Sequence, residues 1–155
     1  MLGTPTPARV SYAPMPTLTL SHLIDRPADD VFAVIADWTT LPAWDPAVRA
    51  VRQVSEGEPG LGSVWEFQFN GLGKKLMETT ALEPDRLLEI TPRSRLYRGG
   101  HRYTLTPKGD ATRVSHLLTL NPRGPMRVLS PPTVLIARRI LRRSAVQLQA
   151  YCEQR

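Results

Sequence analysis

The sequence has one cysteine, Cys152, so it can form no internal disulfide and has no CxxC pair at metal-ligand spacing. It has no apolar run near the roughly 18 residues that a membrane helix requires. The uncharged stretch from Val128 to Ala137 is interrupted by Pro131 and Pro132. The opening MLGTPTPARVSYAPMP lacks a charged segment followed by an apolar one, so no export signal is visible and a cytoplasmic protein is expected. There is no GxSxG elbow and no P-loop, which removes the commonest serine-hydrolase and nucleotide-binding readings. Gly60-Leu61-Gly62 and Gly71-Leu72-Gly73 each lead into a strand pattern, so neither supplies a helix N-terminus to cradle phosphate. Lysine is scarce, 3 residues against 17 arginines, and aromatic residues make up only 6%.

What is present is ordinary for a globular chain: 155 residues, 41% hydrophobic and 22% charged. With roughly 100 to 200 residues per domain, one domain is expected over residues 17–155, preceded by a flexible arm over residues 1–16 that carries four prolines. The net charge of +6 is unevenly spread. Residues 1–89 hold 7 basic and 12 acidic groups, net −5, and residues 90–155 hold 13 and 2, net +11. Such a basic half raises nucleic acid, a membrane surface or an acidic ligand as partners.

Thr17 to Asp25 alternates, with Leu18, Leu20, His22 and Ile24 on one face, and reads as a half-buried strand. Pro27 suits a first helical position, and Ala28, Val31, Phe32 and Ile35 form a helical stripe over residues 27–36. Asp37 is placed to cap a second helical turn through Leu41, ended by Pro42. Strands follow: Val48 to Val54 with a bulge, Ser63 to Phe69, Lys74 to Leu82, Arg86 to Thr91, then His101 to Thr106 and Arg113 to Leu120. Short polar turns join them, which describes an antiparallel meander, apolar on one face. From Pro132 to about Glu153 the period becomes helical, with Ala137, Ile140, Leu141, Ser144, Leu148, Tyr151 and Cys152 on one side. Arg138, Arg139, Arg142 and Arg143 take the other side, and the apolar sheet face is the only partner large enough for this helix.

The stretch IDRPADDVFAVIADWTTLPAWDPAV, with PGLGS, LEPDRL, YTLTPKGDATRV and the closing NPRGPMRVLSPP, resembles the polyketide cyclase/dehydrase branch of the SRPBCC (START-like) superfamily. The likeness covers about residues 17–153. It implies an α+β helix-grip fold: a seven-stranded antiparallel sheet wrapped around a long C-terminal helix, with two short helices after the first strand. It also implies an internal cavity for a hydrophobic ligand and makes the first, seventh and sixth strands neighbours.

By alternation, Trp65, Phe67 and Phe69 share a strand face, and each ring taken singly fits core packing as well as a cavity wall. His22, His101 and His116 all fall on inward faces, so in the implied strand order they converge, with His116 opposite His101 or Tyr103. Imidazoles and a phenol in an apolar cavity suit proton transfer in cyclisation or dehydration, which makes His101, Tyr103 and His116 the candidate catalytic set. The competing reading is a core histidine satisfied by one backbone carbonyl. A three-histidine zinc site fits by ligand type, but no HExxH-like spacing supports it, and neither metal nor cofactor is expected. The candidate ligand-binding residues are His22, Trp65, Phe67, Phe69, Met77, Leu88, Ile90, Leu105, Leu118, Leu141 and Leu148. Trp38 and Trp44 are read as packing residues, with Trp38 also a portal candidate.

The expected function is binding of a hydrophobic small molecule of polyketide, lipid or isoprenoid type, with cofactor-independent acid-base cyclisation or dehydration. The alternative is a non-enzymatic carrier that docks on anionic membranes through the basic C-terminal helix. Nucleic acid is disfavoured because aromatic residues are not interleaved with the basic ones.

Overall fold

The computed structural model describes residues 17–123 and 130–155. The expected N-terminal arm lies outside these residues, as do residues 124–129 before the last helix. Strands β1 (Thr17–Ile24), β2 (Val48–Gln53), β3 (Val64–Phe69), β4 (Gly73–Glu83), β5 (Leu87–Pro92), β6 (Tyr97–Lys108) and β7 (Ala111–Pro122) form one sheet. Its order is β1-β7-β6-β5-β4-β3-β2, every pairing antiparallel. Helices α1 (Ala28–Ala36), α2 (Leu41–Trp44) and α3 (Ser130–Glu153) cover it, completing the helix-grip fold.

The local chemistry explains most boundaries. Pro27 is the N-cap of α1, in extended backbone, one residue earlier than a first helical position. Asp29 and Asp30 follow in the first turn, where the helix dipole favours negative charge. The Asp37 carboxylate accepts the Thr39 N–H at 3.1 Å and starts a 3₁₀ turn, Trp38–Thr40. Pro42 does not end this turn as expected. It sits in the first turn of α2, where its missing N–H has no helical partner to lose.

Strand β6 begins at Tyr97, four residues before the expected start. Gly99-Gly100 lies within this strand, where it permits a close approach of backbones. Gly99 has φ +122°, and a Cβ on it would strike the Thr119 carbonyl; one on Gly100 would strike the Ile90 carbonyl. The β6–β7 hairpin is also tighter than expected. Lys108 pairs with Ala111, leaving Gly109-Asp110 as a two-residue turn with Gly109 at φ +64°. The expected bulge in β2 is present between Val48 and Ala50, and β4 has another between Thr79 and Ala81.

The apolar face of the sheet, α1, α2 and one side of α3 share a buried core that includes Ile35, Trp38, Trp44, Leu88, Ile90 and Leu148. Burying one such leucine or isoleucine side chain is worth about 1.5–3 kcal/mol. α3 packs on β1, α1 and α2, burying Leu141, Ser144, Ala145, Leu148 and Cys152. Its C-terminal end is pinned where the Asp25 N–H donates to Glu153 Oε1 at 3.1 Å. The Thr112 hydroxyl donates to the Arg26 carbonyl at 2.7 Å, holding the same β1–α1 turn to β7.

Gly99→Ala is expected to destabilise the fold by about 2 kcal/mol or more, because backbone strain and a carbonyl clash act together. Gly60→Ala, where an added Cβ meets nothing within 4 Å, should stay within about 0.5 kcal/mol. Urea unfolding of both variants checks this; equal midpoints would contradict the close-approach account.

Candidate functional site

Because β1, β7 and β6 are neighbours, their inward residues form one patch. Tyr103 lies directly opposite His116, and the two rings stack at 4.0 Å between centroids and 20° between planes. His101, two residues back along β6, meets His116 on the diagonal, with Nδ1 and Nε2 sharing a hydrogen bond of 2.9 Å. Of the two pairings open in the sequence, Tyr103 is thus the cross-strand partner and His101 the hydrogen-bonded one. On the other flank, His22 is opposite Val114 and therefore diagonal to His116.

Burial sets the charge state of this patch. His101 is pushed down to about 4, mainly by burial and secondly by the charge of Lys75. His116 is held well below the ordinary histidine value by burial, then by His101 and His22. His22 is lowered by burial alone. The Tyr103 phenol is pushed up by burial, then by the negative charge of Asp45. At neutral pH the patch therefore holds uncharged imidazoles and an uncharged phenol. A hydrogen bond between two neutral imidazoles uses one N–H and one lone pair, so each ring keeps one further nitrogen for another partner. Both ring nitrogens of His22 are buried without a hydrogen-bond partner.

Apolar side chains surround the patch. Trp65, Phe67, Met77, Leu88, Ile90, Leu105, Leu118, Leu141 and Leu148 are all buried, and Phe69 is partly so. Leu118 and Leu141 are buried yet stand apart from the connected core around Leu148. Trp38 packs edge-on against Phe67 at 5.6 Å and lies 6.4 Å from the Tyr103 ring, so it is an interior wall and not a portal. The Trp65 indole N–H donates to the Thr79 hydroxyl at 3.3 Å. Lys75 Nζ lies 5.8 Å from the Phe69 ring centroid.

Two polar residues near the patch were not singled out in the sequence. Lys75 was hidden in a strand whose neighbour Lys74 pairs with Glu66 at the surface. Asp45 was absorbed into the tryptophan-proline segment; the signal that marks it is Asp45-Pro46-Ala47, an Asx-turn pattern. Its carboxylate accepts the Ala47 N–H at 2.9 Å. Burial raises the Asp45 carboxyl above its ordinary value, against the hydrogen bond from the Ala47 N–H, which lowers it.

Two concavities open at the surface. One of about 490 Å³ lies between α2 and α3, lined by Pro42, Ala43, Trp44, Pro46, Arg143 and Gln147. The other, about 280 Å³, lies over β5, β6 and β7 beside Gly99, Gly100 and His101. Among the described residues, no group of three or more His, Cys, Asp or Glu side chains is arranged to hold a metal ion. The Cys152 thiol is pushed up to about 11, chiefly by burial, so it is no nucleophile at neutral pH.

An antiparallel sheet gripping a C-terminal helix, with a polar cluster set in its apolar face, defines a START-like helix-grip protein. The chain belongs to the family described as polyketide cyclase / dehydrase and lipid transport, which it matches over residues 15–153. Its fold is similar to a START superfamily protein from Mycobacterium smegmatis, at 16% identity and a TM-score of 0.76, over 89% of this chain and 97% of that one. It is also similar to the Zhui aromatase/cyclase from a Streptomyces species, at 17% identity and a TM-score of 0.71, over 91% and 95% of the two chains. Identities this low carry the fold and not the ligand. No curated protein matches the chain in sequence.

The lowered histidines make stability depend on pH. Below the ordinary value of 6.5 the unfolded chain binds protons that half-buried His101 does not take up until about pH 4. Stability is therefore complete above pH 6.5 and falls as the pH drops towards 4, by about 3 kcal/mol for His101 alone. Urea unfolding at stepped pH should show this slope. It should flatten in the double variant His101→Gln, His116→Gln; the same slope in both proteins would contradict the assignment.

Proposed function

We propose that residues 17–155 form one helix-grip domain that binds a hydrophobic small molecule between the sheet and α3. His22, His101, Tyr103 and His116 meet the polar part of that ligand. The observation that carries this reading is unspent hydrogen-bonding capacity inside apolar walls. His22 has two buried ring nitrogens without partners, and leaving a buried polar group unpaired costs about 1–3 kcal/mol. A ligand hydroxyl or carbonyl relieves that cost, while Trp65, Phe67 and Leu118 take its apolar body.

The same patch suits cofactor-independent dehydration of a cyclised β-hydroxyketone. One imidazole of the His101–His116 pair removes the proton next to the carbonyl. The Tyr103 phenol or the second imidazole protonates the departing hydroxyl, which leaves as water. Native mass spectrometry of the purified protein is expected to find a co-purified hydrophobic ligand. With polyketide intermediates, His116→Ala should slow product formation about a hundredfold; identical product profiles for variant and wild type would remove the enzymatic part.

One observation favours a second reading, a lipid or isoprenoid carrier that visits anionic membranes. Leu135, Ile136 and Val146 are exposed on α3 at 70%, 61% and 65%. They lie beside Arg138, Arg139, Arg142 and Arg143, which have no ion pair among the described residues. Among the described residues no helix is long and apolar enough to cross a membrane, so such contact is peripheral. The protein should float with phosphatidylserine-containing vesicles and not with neutral ones, and Arg139→Glu with Arg142→Glu should abolish flotation. No difference between the two vesicle types overturns this reading.

A further inference from the structure

The two ends of the sheet differ in charge and in what they expose. The β3–β4 turn, the β5–β6 loop and the end of β7 share one end, because Phe69 pairs with Gly73 and Tyr97 with Pro122. The Arg123 N–H donates to the Leu96 carbonyl at 2.9 Å and ties the last two together. The start of α3 comes to this end as well. Its other end is fixed at Asp25, just past β1, and 24 helical residues span about 36 Å, close to the length of a 12-residue strand.

Residues 69–76, 91–98, 121–123 and 130–139, which build this end, hold eight basic residues and no acidic one. In the adjoining α2–β2 junction Asp45 and Arg49 cancel. Lys74 and Arg93 pair with Glu66 and Glu78 of the strands. Lys75, Arg95, Arg98, Arg123, Arg138 and Arg139 are exposed, with no ion pair among the described residues. Leu72, Leu96, Leu135 and Ile136 stand among them, exposed at 66%, 61%, 70% and 61%. The opposite end has the reverse balance: residues 25–30, 54–63, 83–87, 108–111 and 153–155 hold nine acidic and four basic residues. A nucleic acid would need only the cations. Large apolar side chains held out on turns gain free energy only where hydrocarbon receives them, and a bilayer containing anionic lipid offers both. It also repels the acidic end, which fixes the orientation.

We propose that the β3–β4 turn, the β5–β6 loop and the first turns of α3 form one docking surface for an anionic bilayer. Leu72, Leu96, Leu135 and Ile136 enter the interface, the cations around them meet lipid headgroups, and the acidic end points to solvent. This rests on the carrier reading and extends its contact from one helix to the hairpins of the sheet.

Partitioning of the full chain onto phosphatidylserine-containing vesicles, measured by flotation, tests it. Leu72→Ser with Leu96→Ser should lower partitioning at least about tenfold. Arg95→Gln with Arg98→Gln should lower it by about the same factor. Leu61→Ser removes a side chain equally exposed, at 69%, but at the acidic end, and should change it by less than about twofold. All these side chains are exposed, so urea midpoints should match the wild type; Leu96→Ser alone, with about a threefold loss, serves if the double variant unfolds. A wild type that floats while the folded leucine variants float equally well overturns this surface and leaves the carrier reading standing. So does an equal loss in Leu61→Ser. Loss in the arginine pair without loss in the leucine variants marks a partner read by charge alone, such as RNA, and overturns it too. A wild type that does not float overturns the carrier reading and this inference together.

Discussion

The pairing of the first strand with the last is the contact on which the rest depends. Thr17 is set against Thr119 and Ile24 against Thr112, so the earliest described residues become part of the sheet edge that flanks β7. This register puts His22 on the diagonal to His116 and delivers the β1–α1 turn to the end of α3. There Thr112 holds the Arg26 carbonyl and Glu153 receives the Asp25 N–H. Because side chains alternate with period two, a slip of one residue in β1 would turn His22 to the outside and Leu23 to the inside. The polar patch and the anchorage of the gripping helix thus share one cause.

Within that frame, burial does more than any single partner to define the chemistry. The imidazoles are pushed towards the neutral form, the phenol towards its protonated form and the Asp45 carboxyl towards protonation, with desolvation the first cause in each case. Neutral groups that both donate and accept are what proton transfer near pH 7 requires, and they also suit recognition of an uncharged polar head.

The charge split along the chain resolves on the outside of the sheet. Glu78 of β4 and Glu89 of β5, from the acidic half, pair with Arg93 and Arg102 from the basic half. Glu66 lies between Arg52 and Lys74. Exposed pairs of this kind contribute about 0.2–1 kcal/mol each, so they order the surface more than they stabilise it. Arg138, Arg139, Arg142 and Arg143 of α3, next to exposed Leu135 and Ile136, have no ion pair among the described residues.

Much of this was legible before the structure. Alternation in Val114, His116 and Leu118, and in His101, Tyr103 and Leu105, marks the inward faces because the strand period is two. The apolar stripe of α3 follows from 3.6 residues per turn in the same way. Other features were not legible for identifiable reasons. Gly99-Gly100 has the composition of a turn and is strand, because the close approach of Thr119 and Ile90 is invisible along the chain. The sequence by itself determined the elements, their faces and the residue types turned inward, since these rest on local periodicity. Only the tertiary structure decided which of those residues meet. The hydrogen bond between His101 and His116 and the stacking of Tyr103 on His116 depend on strand register, which is not a local property.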